Sequence, residues 1–291
     1  MSILIDQNSR IIVQGINGRA GSYFARRMHE YGNNVFGGIA PSYGGGWALD
    51  GKVPLFDTVQ ECVKNTDADT SVIFVPAYSA ADACFEAMDA GIQNIICISA
   101  GVPIKDTAMI RSRLKHKEAI LIGPNAPGVF SPEKAMAGVF PVDFAVEGRL
   151  GVISRAGSLT YDVLQTLFEN GIGVSTAVGL GEDCMSGTSI VECLDLFEMD
   201  AHTDNILIIG QPGDIQEETA ATHILESITK PVYAYIAGES IDPAQIIGHT
   251  EICMFDPQHN SQKKIEVLAQ SGVRIAHRMQ EIPGLLKSKA G

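Results

Sequence analysis

Residues 10–21 read RIIVQGINGRAG, and this stretch decides the fold. A short apolar run, Arg10–Ile16, enters a loop with glycines at Gly15, Gly18 and Gly21, and the helix-like SYFARRMHEYG follows. Glycine lets a backbone approach a pyrophosphate closely, and the start of a helix favours the negative charge. Strand, glycine loop and helix in that order open a βαβ unit. The GxxGxxG spacing is compatible with NAD, NADP or CoA.

Working outward, the alternation continues. NVFGGI leads into the glycine-rich APSYGGGWALDG, SVIFVP (Ser71–Pro76) precedes AADACFEAMDAG, and NIICIS (Asn94–Ser99) precedes GVPIKDTAMIRSRLKHK. AILIGP (Ala119–Pro124) ends the series. Short, wholly apolar strands between amphipathic helices predict a parallel sheet covered on both faces, a Rossmann-type domain. After a loop-rich stretch from Asn125 to Pro141 the pattern restarts. RLGVIS (Arg149–Ser154) enters SLTYDVLQTLFENG; VSTAVGLG, NILIIG (Asn205–Gly210), PVYAYIAG (Pro231–Gly238), EICMFD and GVRIAH read as further strands, with TSIVECLDLFEMD helical. The expectation is an α/β chain of two domains, Rossmann-type over 1–126 and flavodoxin-like over 127–291.

A NAD-binding unit carries an acidic residue about 20 residues beyond its glycines, for the ribose hydroxyls. None occurs between Tyr31 and Leu49; the second strand runs instead into Ala40–Gly46, a second glycine segment. That argues against a dinucleotide. The net charge of −13 argues against a nucleic-acid partner, whose phosphates call for basic surface. It leaves room for small anions held by backbone N–H groups. The six cysteines, Cys62, Cys84, Cys97, Cys184, Cys193 and Cys253, form no CxxC pair and read as reduced, mostly buried thiols rather than metal ligands. No apolar run approaches the roughly 20 residues that span a bilayer, and the opening MSILIDQNSR lacks the basic start and apolar stretch of a signal peptide. A cytoplasmic protein without a membrane partner is expected.

The residues also resemble a known family along nearly the whole chain, in order: SILID, QGINGRAG, APSYGGG, VPLFDTV, SVIFVPA, AMDAGI, ISAGVP, IGPNAPGV, GVISRAGSLTYD, KPVYAYIAG and IGHT. This set is similar to the α subunit of succinyl-CoA synthetase (succinate–CoA ligase, ADP- or GDP-forming), an enzyme of the tricarboxylic acid cycle. The resemblance implies an N-terminal domain that binds CoA and a C-terminal ligase domain carrying a transiently phosphorylated histidine. It also implies a hetero-oligomer with an ATP-grasp β subunit, which holds ATP or GTP with Mg²⁺, and a small carboxylic acid as substrate.

Residue by residue, the resemblance lays CoA over Asn17, Gly18, Arg19 and Ala20, with Tyr43, Val75, Pro76, Ile98, Ser99, Ala100 and Asn125 completing the wall. It makes His249 the phosphorylated histidine. Imidazole nitrogen suits that role because it accepts a phosphoryl group and releases it again, splitting one difficult step into two. Ser154, Arg155, Gly157, Ser158 and Tyr161 match the strand-to-helix turn that meets the phosphate and the organic acid. Gln211 stands where the family has a glutamate that orients the histidine; an amide orients the ring but does not stabilise its cation. Other departures are Tyr43 for lysine, Ala100 for glutamate, Ala156 for serine, the run Thr250–Pro257 with the negative charge of Glu251 where the family follows its histidine with small residues and a glycine-rich loop, and an altered glycine stretch at GLGEDCMSG. These departures leave three functions open: a succinate ligase, a ligase for a larger acid such as citrate, or a CoA-binding regulatory subunit with weakened chemistry.

Overall fold

The structure, a computed structural model, describes residues 2–32, 34–242 and 259–288. Strand β1 (Ile11–Gln14) is buried at every position, as a strand covered by helices on both faces must be. It pairs in parallel with β2 (Val35–Ile39) on one side and with β5 (Thr70–Ile73) on the other. β4 (Val53–Phe56) extends the sheet beyond β2. β6 (Asn94–Cys97) and β7 (Ile120–Ile122) extend it beyond β5. A two-residue strand β3 (Trp47–Ala48) lies antiparallel on the outer edge against β4. The order β3-β4-β2-β1-β5-β6-β7 reverses direction at β1. In doubly wound folds the ligand crevice opens at that reversal, beyond the carboxyl ends of the strands. Helices α1 (Arg19–Gly32), α2 (Val59–Thr66), α3 (Ala77–Asp89) and α4 (Ile104–Leu114) connect the strands.

The two compact units of the chain divide between Phe140 and Pro141, with Met185–Thr188 also grouped in the first. The 126/127 boundary expected from the sequence falls just before a hairpin, β8 (Gly128–Ser131) and β9 (Ala135–Gly138), formed by the stretch that reads as loop-rich. Its attachments reach back to the start of the chain: Ser131 Oγ donates to the Ile5 carbonyl at 3.1 Å, the Gly138 N–H to Met28 Sδ at 3.3 Å, and the Phe130 ring packs on Tyr31. Small residues and glycines hide the strand pattern there, because AMAG offers no alternation to read.

In the second unit β10 (Glu147–Ser154) pairs in parallel with β11 (Val174–Gly179) and with β12 (Asn205–Gly210). β13 (Val232–Ile236) and β14 (Arg274–Ala276) follow outward from β12. Numbered from β10, these five parallel strands lie in the order 2-1-3-4-5, which is the flavodoxin-like order. Their helices are α5 (Gly157–Glu169), α6 (Ile190–Met199), α7 (Gln216–Ser227) and α8 (Ser261–Gln270). Local signals start them: Ser189 and Glu192 form a capping box on α6, and Asn260 accepts from the Lys263 N–H at the start of α8. The strand expected at EICMFD lies outside the described residues.

Of the cysteines described, Cys62, Cys84, Cys97 and Cys193 are buried thiols, and burial pushes the Cys62 thiol up to about 11. Cys184 is exposed, because it sits in the loop after β11 rather than on a sheet or helix face.

Phe197 on α6 is fully buried against Gly151 of β10, where any side chain would strike its ring at 2.6 Å. Phe197→Ala therefore leaves a cavity against β10, and urea denaturation should show a loss of about 3–5 kcal/mol.

Candidate active site

In the first unit the glycine loop follows β1 at the reversal of strand order. Gly15 takes a left-handed conformation (φ +78°), and its carbonyl accepts the Gly18 N–H at 3.0 Å. Gly21 sits in the first turn of α1, so close to this loop that a Cβ would lie 2.1 Å from the Gly15 oxygen. The requirement for glycine at 21 is thus steric, from helix meeting loop. The first turn of α1 contains no acidic residue, so nothing there opposes an anion.

Above the loop is a cavity of about 370 Å³ whose walls include Gly15, Asn17, Gly18, Pro41, Val75 and Pro76. Four of the residues expected around CoA, Asn17, Gly18, Val75 and Pro76, are therefore brought together in one cavity. Arg19 and Ala20 begin α1 directly after Gly18 and are not among the residues that line the cavity. Ser99 and Asn125 form a neighbouring group: Ser99 Oγ donates to the Val75 carbonyl, and the Asn125 N–H donates to the Ser99 carbonyl at 3.0 Å. Ile98 is half-buried beside Ser99, and Ala100 is exposed. Tyr43 is 60% exposed in the loop after β2. The cavity also has acidic walls at Asp82 and Glu86, which the sequence reading does not include. Glu86 serves a structural end as well, accepting the Val59 N–H that opens α2 at 2.8 Å.

In the second unit the loops after β10 and after β12 flank that sheet's own reversal. The turn from β10 into α5 holds Ser154 at the strand end, Arg155 in the loop, and Gly157 and Ser158 at the helix start. Ser154 is buried and closes the turn: its hydroxyl accepts the Ala156 N–H at 3.1 Å and lies 2.6 Å from Thr160 Oγ. Ser158 is exposed on the first turn of α5. Arg155 is only 1% exposed, and its guanidinium faces inward. It pairs with Asp214 of the β12 loop and donates to the Asp183 carbonyl at 2.7 Å. Arg155 therefore joins three loops, a tethering position rather than an open one.

Gln211 leads the β12 loop and is 4% exposed. Its Nε2 donates to the Glu182 carbonyl at 3.0 Å, while its Oε1 has no partner among the described residues. A buried amide oxygen without a donor is costly. The Gln211 backbone N–H donates to Glu217 at 3.1 Å, and Glu217 pairs with Lys264, both wholly buried. Lys264 also lies 3.9 Å from Asp214 and 3.7 Å from Glu218, whose other oxygen meets His259 Nδ1 at 3.0 Å. Tyr161 stands one turn into α5; burial, then the charge of Glu182, pushes its phenol up to about 12. His249 lies outside the described residues.

Sequence reading missed Glu182, Asp214, Glu217, Lys264 and His259. Two of them had a signal. Glu217 sits three, four and seven residues before Ala220, Ala221 and Ile224, on the buried stripe of α7, and Lys264 sits between Ser261 and Leu268 on that of α8. A charge on an apolar stripe marks a buried pair. Among the described residues no group of three or more His, Cys, Asp or Glu side chains is placed to hold a metal ion, and no helix is long and apolar enough to cross a membrane.

Comparison with known proteins matches both units. Residues 6–101 match the CoA binding domain and residues 153–282 the CoA-ligase domain. The succinate–CoA ligase [ADP-forming] subunit alpha 1 of Archaeoglobus fulgidus is 41% identical over 97% of this chain and 96% of its own length. The chain belongs to the succinate–CoA ligase α-subunit family. Within that family, the Aquifex aeolicus α subunit is 39% identical over 97% of this chain and 92% of its own. Among solved structures, ATP citrate lyase from Methanothrix soehngenii, in complex with citrate and coenzyme A, superimposes with a TM-score of 0.88 at 20% identity. The similarity covers 98% of this chain, which spans half the length of that one, and it shows the shared fold.

Gly21→Ala should displace the glycine loop, and calorimetric titration should find CoA affinity reduced about tenfold or more. The Tyr161 phenol is neutral throughout the physiological range. Because its folded value is raised, the stability it contributes is complete below about pH 10 and fades toward pH 12. Absorbance titration near 295 nm of the protein against Tyr161→Phe should lose one tyrosine with its midpoint near 12.

Proposed function

We propose that this chain is the α subunit of a nucleotide-dependent acid–CoA ligase that converts succinate, CoA and a nucleoside triphosphate to succinyl-CoA, the nucleoside diphosphate and phosphate. Near-full-length similarity to α subunits named succinate–CoA ligase carries this reading. The geometry supports it at both reversal points. The first offers glycine backbone and an acid-free helix start to a pyrophosphate. The second offers the start of α5 and a buried amide oxygen that lacks a donor.

The chemistry would run through His249. An imidazole nitrogen attacks the terminal phosphorus, the bond to the bridging oxygen breaks, and the diphosphate leaves. A carboxylate oxygen of succinate then takes the phosphoryl group and frees the ring. The CoA sulfur, as thiolate, attacks the acyl carbon, and orthophosphate departs with the electrons of the C–O bond. The nucleotide and Mg²⁺ would be held by an ATP-grasp β subunit, within a cytoplasmic hetero-oligomer serving the tricarboxylic acid cycle. For this chain's own residues, the reading has Asn17, Gly18, Arg19 and Ala20 meet CoA, with Val75, Pro76 and the Ser99–Asn125 group along its length and Tyr43, Ile98 and Ala100 at the margins. Gly157, Ser158 and the α5 start meet the phosphoryl group, on a turn shaped by Ser154 and Arg155. Tyr161 donates to the acid as a neutral phenol. Gln211 receives an imidazole N–H at Oε1, which fixes the ring's tautomer without adding charge.

Incubation with the cognate β subunit, Mg²⁺ and ATP or GTP should place phosphate on His249, read by peptide mass spectrometry under non-acidic conditions. Succinate plus CoA should discharge it, and His249→Asn should carry none. Discharge by citrate instead of succinate would move the assignment to the larger acid. Absence of phosphate from the wild type would leave a CoA-binding subunit.

A further inference from the structure

The start of α5 is already occupied. Its N-cap position is Ala156, which has no side chain able to cap, and its first turn contains no acid of its own. The first free N–H, that of Gly157, instead donates at 2.5 Å to Oε1 of Glu182, from the loop after β11. A Cβ at Gly157 would stand 2.7 Å from the same oxygen. The carboxylate therefore sits directly on the N–H that an incoming oxyanion would use.

The backbone that carries Glu182 is anchored on both sides and at the residue itself. Arg155 donates to the Gly181 carbonyl at 3.4 Å and to the Asp183 carbonyl at 2.7 Å, and Gln211 Nε2 holds the Glu182 carbonyl at 3.0 Å. With the main chain pinned by two buried side chains, the freedom left to the carboxylate is rotation of its own side chain. Beside it, the buried Oε1 of Gln211 lacks a donor among the described residues. This end of the sheet thus has an anion on a helix N-terminus and, on the side chain that holds the Glu182 carbonyl, a buried acceptor that calls for a donor.

We infer that Glu182 is a resident anion on the α5 start, which a phosphoryl or carboxylate oxygen must displace from the Gly157 N–H, so that Glu182 sets the affinity of the second unit for its oxyanion ligand. The inference rests on the proposed ligase reading. Its physical basis is exclusion: one N–H serves one anion at a time, and two anions at a single helix terminus repel. Protein and ligand then compete for the same donor, and a phosphoryl group binds only as tightly as it outcompetes Glu182. The exchange makes and breaks hydrogen bonds alone.

The test uses the full chain, alone and with its β subunit, as wild type, Glu182→Gln and Glu182→Ala, with inorganic phosphate as probe. Glu182→Gln keeps the shape and the cap while removing the charge, which guards against a variant that fails to fold. Phosphate should bind about tenfold more tightly to either variant than to the wild type. CoA affinity should be unchanged, since the first unit is untouched. Equal or weaker phosphate binding in both variants, with a lowered Tm and with His249 still phosphorylated, would overturn the inference and leave Glu182 as a structural cap. If no form takes phosphate or is phosphorylated on His249, the ligase reading itself fails, and the inference with it. An outcome in which His249 is phosphorylated in every form, at one common phosphate affinity, keeps the ligase and rejects Glu182 as its competitor.

Discussion

Lys264 and Glu217, both without solvent exposure, form the contact around which the functional end of the second unit is built. Burying two charges costs several kcal/mol per ion unless each is paired and further hydrogen-bonded. Here each is. Glu217 takes the Gln211 N–H, and Lys264 reaches toward Asp214 and Glu218. Asp214 in turn pairs with Arg155 and accepts the Gln216 N–H at 2.8 Å. A charged chain thus runs from α8 through the start of α7 to the turn after β10. Such a chain is weak evidence of stability, but it restricts geometry, because removing any member strands a buried charge. It ties the Gln211 loop and the α5 turn to one framework.

The first unit reaches a comparable end by exclusion. Gly21 admits no side chain because the Gly15 carbonyl fills the space, and Gly15 bends the loop through the left-handed region. The result is a backbone surface at the start of a helix whose own first turn carries no acid, facing a cavity with Asp82 and Glu86 in its walls. One unit clears its helix start by removing atoms. The other positions its loops with buried charge and places a carboxylate of its own at the helix start. Both sites lie where parallel sheets reverse strand order, since loops leave in opposite directions there and open a crevice.

Much of this was legible in the sequence. The apolar runs at 10–16, 71–76, 94–99, 149–154 and 205–210 overlap β1, β5, β6, β10 and β12, because strands covered on both faces admit hardly any polar residue. The hairpin β8–β9 was not legible, since Gly128–Ser131, despite Val129 and Phe130, and Ala135–Gly138 are too short and small-residue-rich to show an alternating pattern. In the candidate site, Asn17, Gly18, Val75 and Pro76 do meet around one cavity. Arg155, read as facing phosphate, turns inward to Asp214. A side chain's direction depends on partners far along the chain, and Asp214 lies 59 residues away.

What the sequence determined by itself was the class of fold and two glycine-dependent turns, because hydrophobic period and local turn chemistry act over a few residues; the family followed from motifs matched in order along the chain. What only the tertiary structure decided was which groups surround those turns. Glu182 approaches Gly157 across 25 residues, and Glu217 approaches Lys264 across 47. No local rule joins such pairs. They meet because parallel strands must be re-entered through helices, and those crossovers return distant loops to the same end of the sheet.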